Sequence, residues 1–500
     1  MGSDPLAEAA IDPAAVRLVS ARVANHYKLM PLGFDGERLR VALAVLPDVV
    51  RRDELRMVLR REIIPVLAGE GEIAKAIKEH YGLGAETLER LTENDGGKKA
   101  EPRVRLNDLD EAQDASVIQV VNQILLEAYE NRATDIHLEP YEDDLRVRYR
   151  IDGVLYDAKI AESLKRFQAA ITSRIKIMAD LSIAEKRLPQ DGRIKVRVGG
   201  RDMDLRVSTL PTPYGESVGI RLLTSRQFLD LRHLGFEEEH LATLESYLEK
   251  PHGILFLTGP TGSGKTTTLY AFLNRINGPD RKIITIEDPI EYQMKGITQV
   301  QVQPAIGLTF AQGLRSMLRH DPDVMMVGEV RDLETAEIAI RVALTGHLVF
   351  STLHTNDAAG AVARLEDIGV EPYLISSSIV CVIAQRLVRL ICPACRVEEA
   401  ASPEMVREFD TGGLTSTVFR GRGCAACKST GFQGRTVIYE ILPITDDVRE
   451  MIVARKPSHL IRERAIAGGM RTLRQSGWKK IVEGLTTPEE VLRATLQEGR

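Results

Sequence analysis

A chain of 500 residues is long enough for about three domains, each with a core of its own. Its composition, 44% apolar, 27% charged and 5% aromatic, is that of an ordinary globular protein. The formal net charge of −5 excludes a global basic field that would recruit nucleic acid or anionic lipid. No basic-then-apolar leader opens the sequence, and no apolar run approaches the roughly 20 residues that span a bilayer. A soluble, cytoplasmic protein is expected, with any membrane role running through partners.

Residues 14 to 91 alternate helical stretches with one short strand, "RLRVALA" (38–44), before Pro47. The segment "TENDGGKKAEPR" (92–103) is charged, glycine-paired and without apolar periodicity, and reads as a linker. A second unit follows. Val117, Val120, Val121, Ile124, Leu125 and Ala128 recur at helical spacing and make one apolar face. "LRVRYRIDGVLY" (145–156) alternates apolar and charged residues around Asp152-Gly153, a hairpin turn. A second alternating pair, "RIKVRV" (193–198) and "MDLRVST" (203–209), is joined at Gly199-Gly200. If Leu205 and Val207 face a core, Arg206 faces away; Val218, Ile220 and Leu222 put Arg221 outside by the same alternation. Two outward arginines fit a plain solvated face as well as a binding one.

From about residue 231 the rhythm changes to near-continuous apolar runs between helices: "ILFLT" (254–258), "IITIE" (283–287), "VMMVG" (324–328) and "LVFSTLH" (348–354). Runs of this kind predict strands of a parallel sheet buried on both faces. The α/β core is then interrupted by a cysteine segment and followed by a helical tail.

"GPTGSGKT" comprises Gly259, Pro260, Thr261, Gly262, Ser263, Gly264, Lys265 and Thr266, and Thr267 continues into a helix-compatible run. A strand before it and a helix after it make this a phosphate-binding loop. Glycines let backbone N–H groups wrap a phosphate at a helix N-terminus. Lys265 can reach the β- and γ-phosphates of a bound nucleotide, and the Thr266 hydroxyl can ligate magnesium. Glu287, Asp288 and Glu291 cluster after a predicted strand, where open α/β sheets bind ligands, though a helix N-terminal acid cluster reads the same way. In "DVMMVGEVRD" (323–332) the strand ends at Gly328, where many nucleotide hydrolases carry a magnesium-binding aspartate, and Glu329 follows. His347 and His354 flank the strand of "TGHLVFSTLHTND" (345–357); alone, each is as well explained as an ordinary core or surface histidine.

Cys392, Cys395, Cys424 and Cys427 form two C-x-x-C pairs separated by residues 396–423, the pattern of a tetrahedral zinc site. Cys381, inside "SIVCVIA", reads as core.

The ordered set "GPTGSGKT", "IITIEDPIEY" (283–292), "LRSMLRHDPDVMMVGEVRD" (314–332) and "TGHLVFSTLHTND" resembles the secretion and pilus-assembly ATPases. These stretches match that family's Walker A, aspartate box, Walker B and histidine box. The finer resemblance is to the type II secretion ATPases, the E proteins of the general secretory pathway. It rests on "EPYLISSSIVCVIAQRLVRLICPACR" (371–396), the four cysteines and "LPQDGRIKVRVGGRDMDLRVSTLP" (188–211). Pilus-extension ATPases are the near alternative.

The resemblance implies an α/β protein. A RecA-like P-loop core (231–500) would carry a zinc insertion at about 392–430 and C-terminal helices at 440–500. A PAS-like α+β domain (113–230), a linker (92–112) and a small N-terminal α/β domain (1–91) that docks on a partner would precede it. It implies a homo-hexamer with ATP and magnesium between the two larger domains. Glu329 would act on the attacking water, with Glu287 near the magnesium. Arg206, Arg221, Arg315, Arg319 and Arg331 would approach the phosphates, with His347 and His354 beside the site. Expected partners are the cytoplasmic domain of an inner-membrane recruiting protein, a polytopic platform protein and acidic phospholipid. The opposing reading, a zinc-containing nucleic-acid translocase, has only the arginines of "QRLVRLICPACR" (385–396) in its favour, against the negative charge and scarce aromatics.

Overall fold

The computed structural model describes residues 11–81, 115–198, 201–223, 230–401, 409 and 417–495. The expected linker at 92–112 and the Gly199-Gly200 turn lie outside the described residues. The chain divides into two units, 1–225 and 226–500.

Residues 11–81 hold three strands where the sequence had suggested one. Strand β1 (Leu29–Asp35) pairs antiparallel with β2 (Arg38–Leu43), which pairs in parallel with β3 (Ile63–Leu67). The order β1-β2-β3 explains why the outer two were illegible. Each carries a proline, Pro31 and Pro65, which demotes a strand in sequence but is tolerated on a sheet edge. Helices Pro13–Leu18, Ala21–Tyr27, Val49–Leu59 and Glu70–Tyr81 complete this part.

Residues 115–223 form a six-stranded antiparallel sheet. Its strands are β4 (Asp135–Pro140), β5 (Leu145–Ile151), β6 (Val154–Asp157), β7 (Gln190–Val198), β8 (Arg201–Thr212) and β9 (Gly215–Leu223), in the order β6-β5-β4-β9-β8-β7. Asp152 and Gly153 both take positive φ, 48° and 87°, and turn β5 into β6 as the hairpin pattern predicts. One face packs Val147, Ile136, Ile220, Leu205 and Ile194 against helices Ala115–Glu130 and Gln168–Met178. The other face is polar. Its register sets Arg193, Arg206, Arg221, Asp135 and Arg150 side by side across five strands.

The second unit is built on a seven-stranded sheet. Its strands are β10 (Gly253–Thr258), β11 (Ile283–Glu287), β12 (Thr298–Gln301), β13 (Val324–Val327), β14 (Leu348–Leu353), β15 (Ile379–Ile391) and β18 (Phe432–Pro443). A separate ribbon pairs β16 (Arg396–Ala400) with β17 (Thr417–Gly421). The main order is β12-β11-β13-β14-β10-β15-β18, parallel except that β18 runs against β15. Every residue of β10, β11, β13 and β14 is buried, which the unbroken apolar runs required. The polar strand β12 sits at one edge. β18 continues to Pro443, so the C-terminal helices begin at Asp446, a few residues later than the sequence had suggested.

Because β11, β13, β14 and β10 run parallel and in register, their carboxyl ends stand in a row, level with the middle of β15. Thr258 lies level with Leu353 on one side and with Ala384 on the other. Glu287, Glu329, His354, Gly259 and Gln385 therefore fall along one edge, where open parallel sheets hold ligands.

Candidate active site and cysteine centre

The loop after β10 can adopt its path only with glycine at three places. Gly259, Gly262 and Gly264 take φ of 146°, 82° and 90°. A Cβ on Gly259 would lie 2.6 Å from both the Gln385 carbonyl and the Ser263 hydroxyl. Gly264 caps the helix Lys265–Ile276, so the loop delivers its chain directly into a helix N-terminus. Pro260, Thr261, Thr266 and Thr267 are exposed.

Lys265 is buried, and its Nζ donates to the loop's own carbonyls, Gly259 at 2.6 Å and Pro260 at 3.2 Å. Burial brings its ammonium down to about 8, against the pull of the Glu329 carboxylate and with added push from Arg386. Such a buried cation gains most from an arriving polyanion. The Ser263 hydroxyl and Thr268 Oγ1 are buried without a partner among the described residues. A glycine cradle, a buried ammonium and orphaned hydroxyls fit a nucleotide phosphate.

Gly328 stands at the tip of β13 with both of its backbone polar groups engaged. Its N–H donates to Ile286 O at 2.8 Å, and its carbonyl accepts from Thr352 Oγ1 at 2.8 Å. A Cβ there would already touch Ile286 O, the Phe310 ring and the Glu287 backbone at 3.4–3.5 Å. Room ends at Cβ. The acid is carried one residue on, where Glu329 is only 12% exposed and held from two sides. Arg331 Nη2 is 2.5 Å from one carboxylate oxygen and His354 Nε2 is 3.3 Å from the other. Glu329 is near enough to Lys265 to act on its titration.

Several sequence-derived candidates come out differently. Glu287, at the tip of β11, is turned into the core. It accepts from Tyr270 Oη, from Thr285 Oγ1 at 2.6 Å and from Gln299 Nε2 at 3.1 Å, and is 3% exposed. A carboxylate so enclosed braces the strand against the phosphate-loop helix rather than meeting solvent. His347 and His354 share one motif but not one place. His347 precedes β14 and contacts Val342 O through Nδ1 at 3.0 Å, about 20 Å from the carboxyl edge at the rise of an extended strand. Only His354 reaches the site. Arg315 bonds Glu334 at 2.5 Å, and Arg319 donates to Arg315 O at 3.1 Å. Arg331 is tied to Glu329. Arg206 and Arg221 lie in the other unit as cross-strand neighbours on the polar face. Arg221 Nε is 2.9 Å from Asp135 Oδ1, and the arginine is 59% exposed.

Sequence reading missed Gln385 and Arg386. Gln385 Nε2 donates to Ser263 O at 2.8 Å, and Arg386 Nη2 to Asn356 O at 2.9 Å. Two polar residues inside an apolar strand were the available signal. The arginines that favoured nucleic acid are committed elsewhere. Arg386 is buried beside the loop, Arg389 bonds Glu490 at 2.7 Å, and Arg396 stacks on Phe419 and donates to Gly484 O.

The four cysteines do meet. Their sulfurs lie within 4.8 Å of one another, with 392–424, 395–427 and 424–427 separations of 3.9, 3.8 and 3.7 Å. A tetrahedral zinc at about 2.3 Å from each sulfur sets them about 3.8 Å apart. Burial alone would raise Cys427, yet N–H donors from Cys424 (3.1 Å) and Gly431 (3.2 Å) bring its thiol down to about 6. The donor set suits a zinc ion. Cys381 is fully buried in β15 as core.

A parallel sheet with a glycine loop, a buried lysine and a clamped glutamate along its carboxyl edge defines a P-loop ATPase with a RecA-like core. The family profile "Type II/IV secretion system protein" matches residues 110–493, and the MshEN domain matches residues 5–87. The type II secretion system protein E of Xanthomonas campestris pv. campestris is 47% identical over 487 residues, covering 96% of this chain and 85% of that protein. The type IV pilus assembly ATPase PilB of Myxococcus xanthus is 44% identical over 496 residues, covering 97% and 87%. The pilus retraction motor PilT with bound ADP superposes with a TM-score of 0.50 at 28% identity, covering 75% of this chain and 96% of that one. The chain belongs to the type II/IV secretion system ATPases, which hydrolyse ATP with magnesium. Among the described residues no helix is long and apolar enough to cross a membrane.

Proposed function

We propose that the chain is the cytoplasmic motor of a type II secretion machine, a homo-hexamer whose ATP-driven domain motion assembles a pseudopilus and exports protein. The observation that carries the ATPase reading is the carboxyl edge itself, where Lys265, Glu329 and His354 surround the glycine loop. Lys265 neutralises charge on the transferring phosphate, and Thr266 ligates magnesium together with water. When bound, magnesium would offset the charge that develops on the phosphates. Glu329, oriented by Arg331 and His354, takes the proton of the attacking water. Arg206 and Arg221 complete the site on closure of the PAS-like domain 113–230 over the ATPase domain 231–500. Gly259 to Thr267 wrap the phosphates, and zinc sits on Cys392, Cys395, Cys424 and Cys427.

The N-terminal domain, 1–91, docks on the cytoplasmic part of an inner-membrane recruiting protein, and the hexamer acts on a polytopic platform protein. The motor is thus peripheral to the inner membrane through partners, with acidic phospholipid as a stimulant. Relatives named type II secretion system protein E at 46–50% identity support the secretion assignment. The Myxococcus relative supports a second reading, pilus extension.

Expression in a strain lacking its type II secretion ATPase decides between them: the first reading expects restored export, and restored piliation in a pilus-ATPase deletion with no restored export favours the second. ATPase stimulation by DNA, but not by acidic phospholipid with the membrane partner, would overturn both.

A further inference from the structure

Three glycines at positive φ lie within residues 259–264, and glycines leave an unrestrained loop many shapes to choose from. A loop of that kind presents its amides to a phosphate without an ordering cost only when something outside it fixes its shape. The backing comes from β15. Gln385 is fully buried, and its Nε2 lies 2.8 Å from the Ser263 carbonyl, at the crown of the loop. A Cβ on Gly264 would come within 3.1 Å of the same nitrogen, and one on Gly259 within 2.6 Å of the Gln385 carbonyl. The strand thus backs the loop at both ends. Arg386, the next residue, ties this point of β15 to Asn356 in the segment that carries His354.

Packing alone does not account for a glutamine here. Its Oε1 is buried without a hydrogen-bond partner among the described residues, which costs stability. An apolar side chain of equal length would fill the same space without that cost. What only the amide supplies is the donor to Ser263.

We propose that Gln385 is a positioning residue for nucleotide binding: its amide pins the Ser263 carbonyl and so holds the N–H groups of residues 262–265 in line for the phosphates before ATP arrives. This rests on residues 259–266 being the phosphate-binding loop.

The test is Gln385→Met in the full chain, with Lys265→Ala as comparator. Binding of a fluorescent ATP analogue with magnesium, steady-state turnover, melting temperature and hydrogen exchange of the loop amides are read together. For Gln385→Met, Kd and KM rise about 3- to 10-fold, the worth of one hydrogen bond. The loss falls on KM rather than kcat, melting is unchanged or higher, and amides 262–265 exchange faster without nucleotide. A residue that only packs would leave Kd and exchange alone and move melting. If Lys265→Ala weakens binding but Gln385→Met binds as wild type does, the inference is overturned and the loop assignment stands. If Lys265→Ala also binds normally, both fall. Should Gln385→Met fail to fold, exchange in the wild-type protein decides. Protected amides at 262–265 without nucleotide support the clamp, and exchange at the rate of an open loop overturns it.

Discussion

The two regions proposed to meet the nucleotide are built in opposite ways. Along the carboxyl edge of β10, β13 and β14 the working groups are buried and tied down: Lys265 to the loop carbonyls, Glu329 between Arg331 and His354, Ser263 to Gln385. On the polar face of the six-stranded sheet the arginines stand in a row. Arg221 is 59% exposed and paired with Asp135. A buried group has its geometry settled by folding, whereas an exposed one waits for a counter-charge. The prebuilt edge is therefore suited to bind, and the arginine row to answer a counter-charge brought to it.

The sharpest way to break this division is Lys265→Ala. With the buried ammonium gone, turnover should fall by a factor on the order of 10³ and ATP binding should weaken with it, while the fold survives. Full activity in a radiolabelled phosphate-release assay would remove the loop from the chemistry.

Arg206→Ala and Arg221→Ala probe the arginine row, in which Arg206 is half-buried and Arg221 exposed. Each should cost turnover about tenfold with ATP binding nearly intact, because the group completes the site only on closure. Equilibrium binding as poor as in Lys265→Ala would make these arginines ground-state ligands and erase the difference between the two regions.

The burial of Lys265 gives a pH signature that an exposed arginine cannot. Without nucleotide its ammonium titrates at about 8, and bound phosphate holds the proton on. Binding is then strongest below that value and weakens as pH rises through it, by up to about tenfold per unit. Titrations of ATP affinity between pH 7 and 9.5 test the sign; affinity flat across that range would contradict a buried, nucleotide-coupled lysine.

The smallest expected effect on nucleotide affinity comes from the cysteine centre. Replacing Cys392 or Cys424 with serine should release zinc and lower the melting temperature while leaving ATP affinity close to wild type. Metal analysis with a thiol titration checks the first part. A zinc-free protein with four titratable thiols would remove the centre from the account.

Much of this edge is legible in sequence because parallel strands buried on both faces leave unbroken apolar runs, and the glycine loop has no other economical explanation. The rest is hidden for identifiable reasons. Strands β1 and β3 carry prolines that only an edge position excuses. Gln385 and Arg386 sit in a strand whose pattern says core; Gln385 bonds a loop more than a hundred residues away, and Arg386 bonds Asn356. His347 and His354 look equivalent seven residues apart until β14 separates them. Glu287 and Glu329 are the hardest pair. Both end apolar strands, and nothing in either strand announces that Tyr270, Thr285 and Gln299 close over one of them.

That pair also gives the most direct test of the central claim, that the acid displaced past Gly328 does the chemistry. Glu329→Gln and Glu287→Gln are compared side by side by single-turnover hydrolysis of ATP with magnesium and by melting temperature. The account predicts that Glu329→Gln melts and binds ATP like wild type but hydrolyses it slower by a factor on the order of 10² or more. Glu287→Gln should melt earlier, its buried braces disturbed, and turn over near the wild-type rate when folded. The reverse pattern, a folded Glu287→Gln that is inert beside a Glu329→Gln that melts early and hydrolyses normally, would move the catalytic acid to the tip of β11.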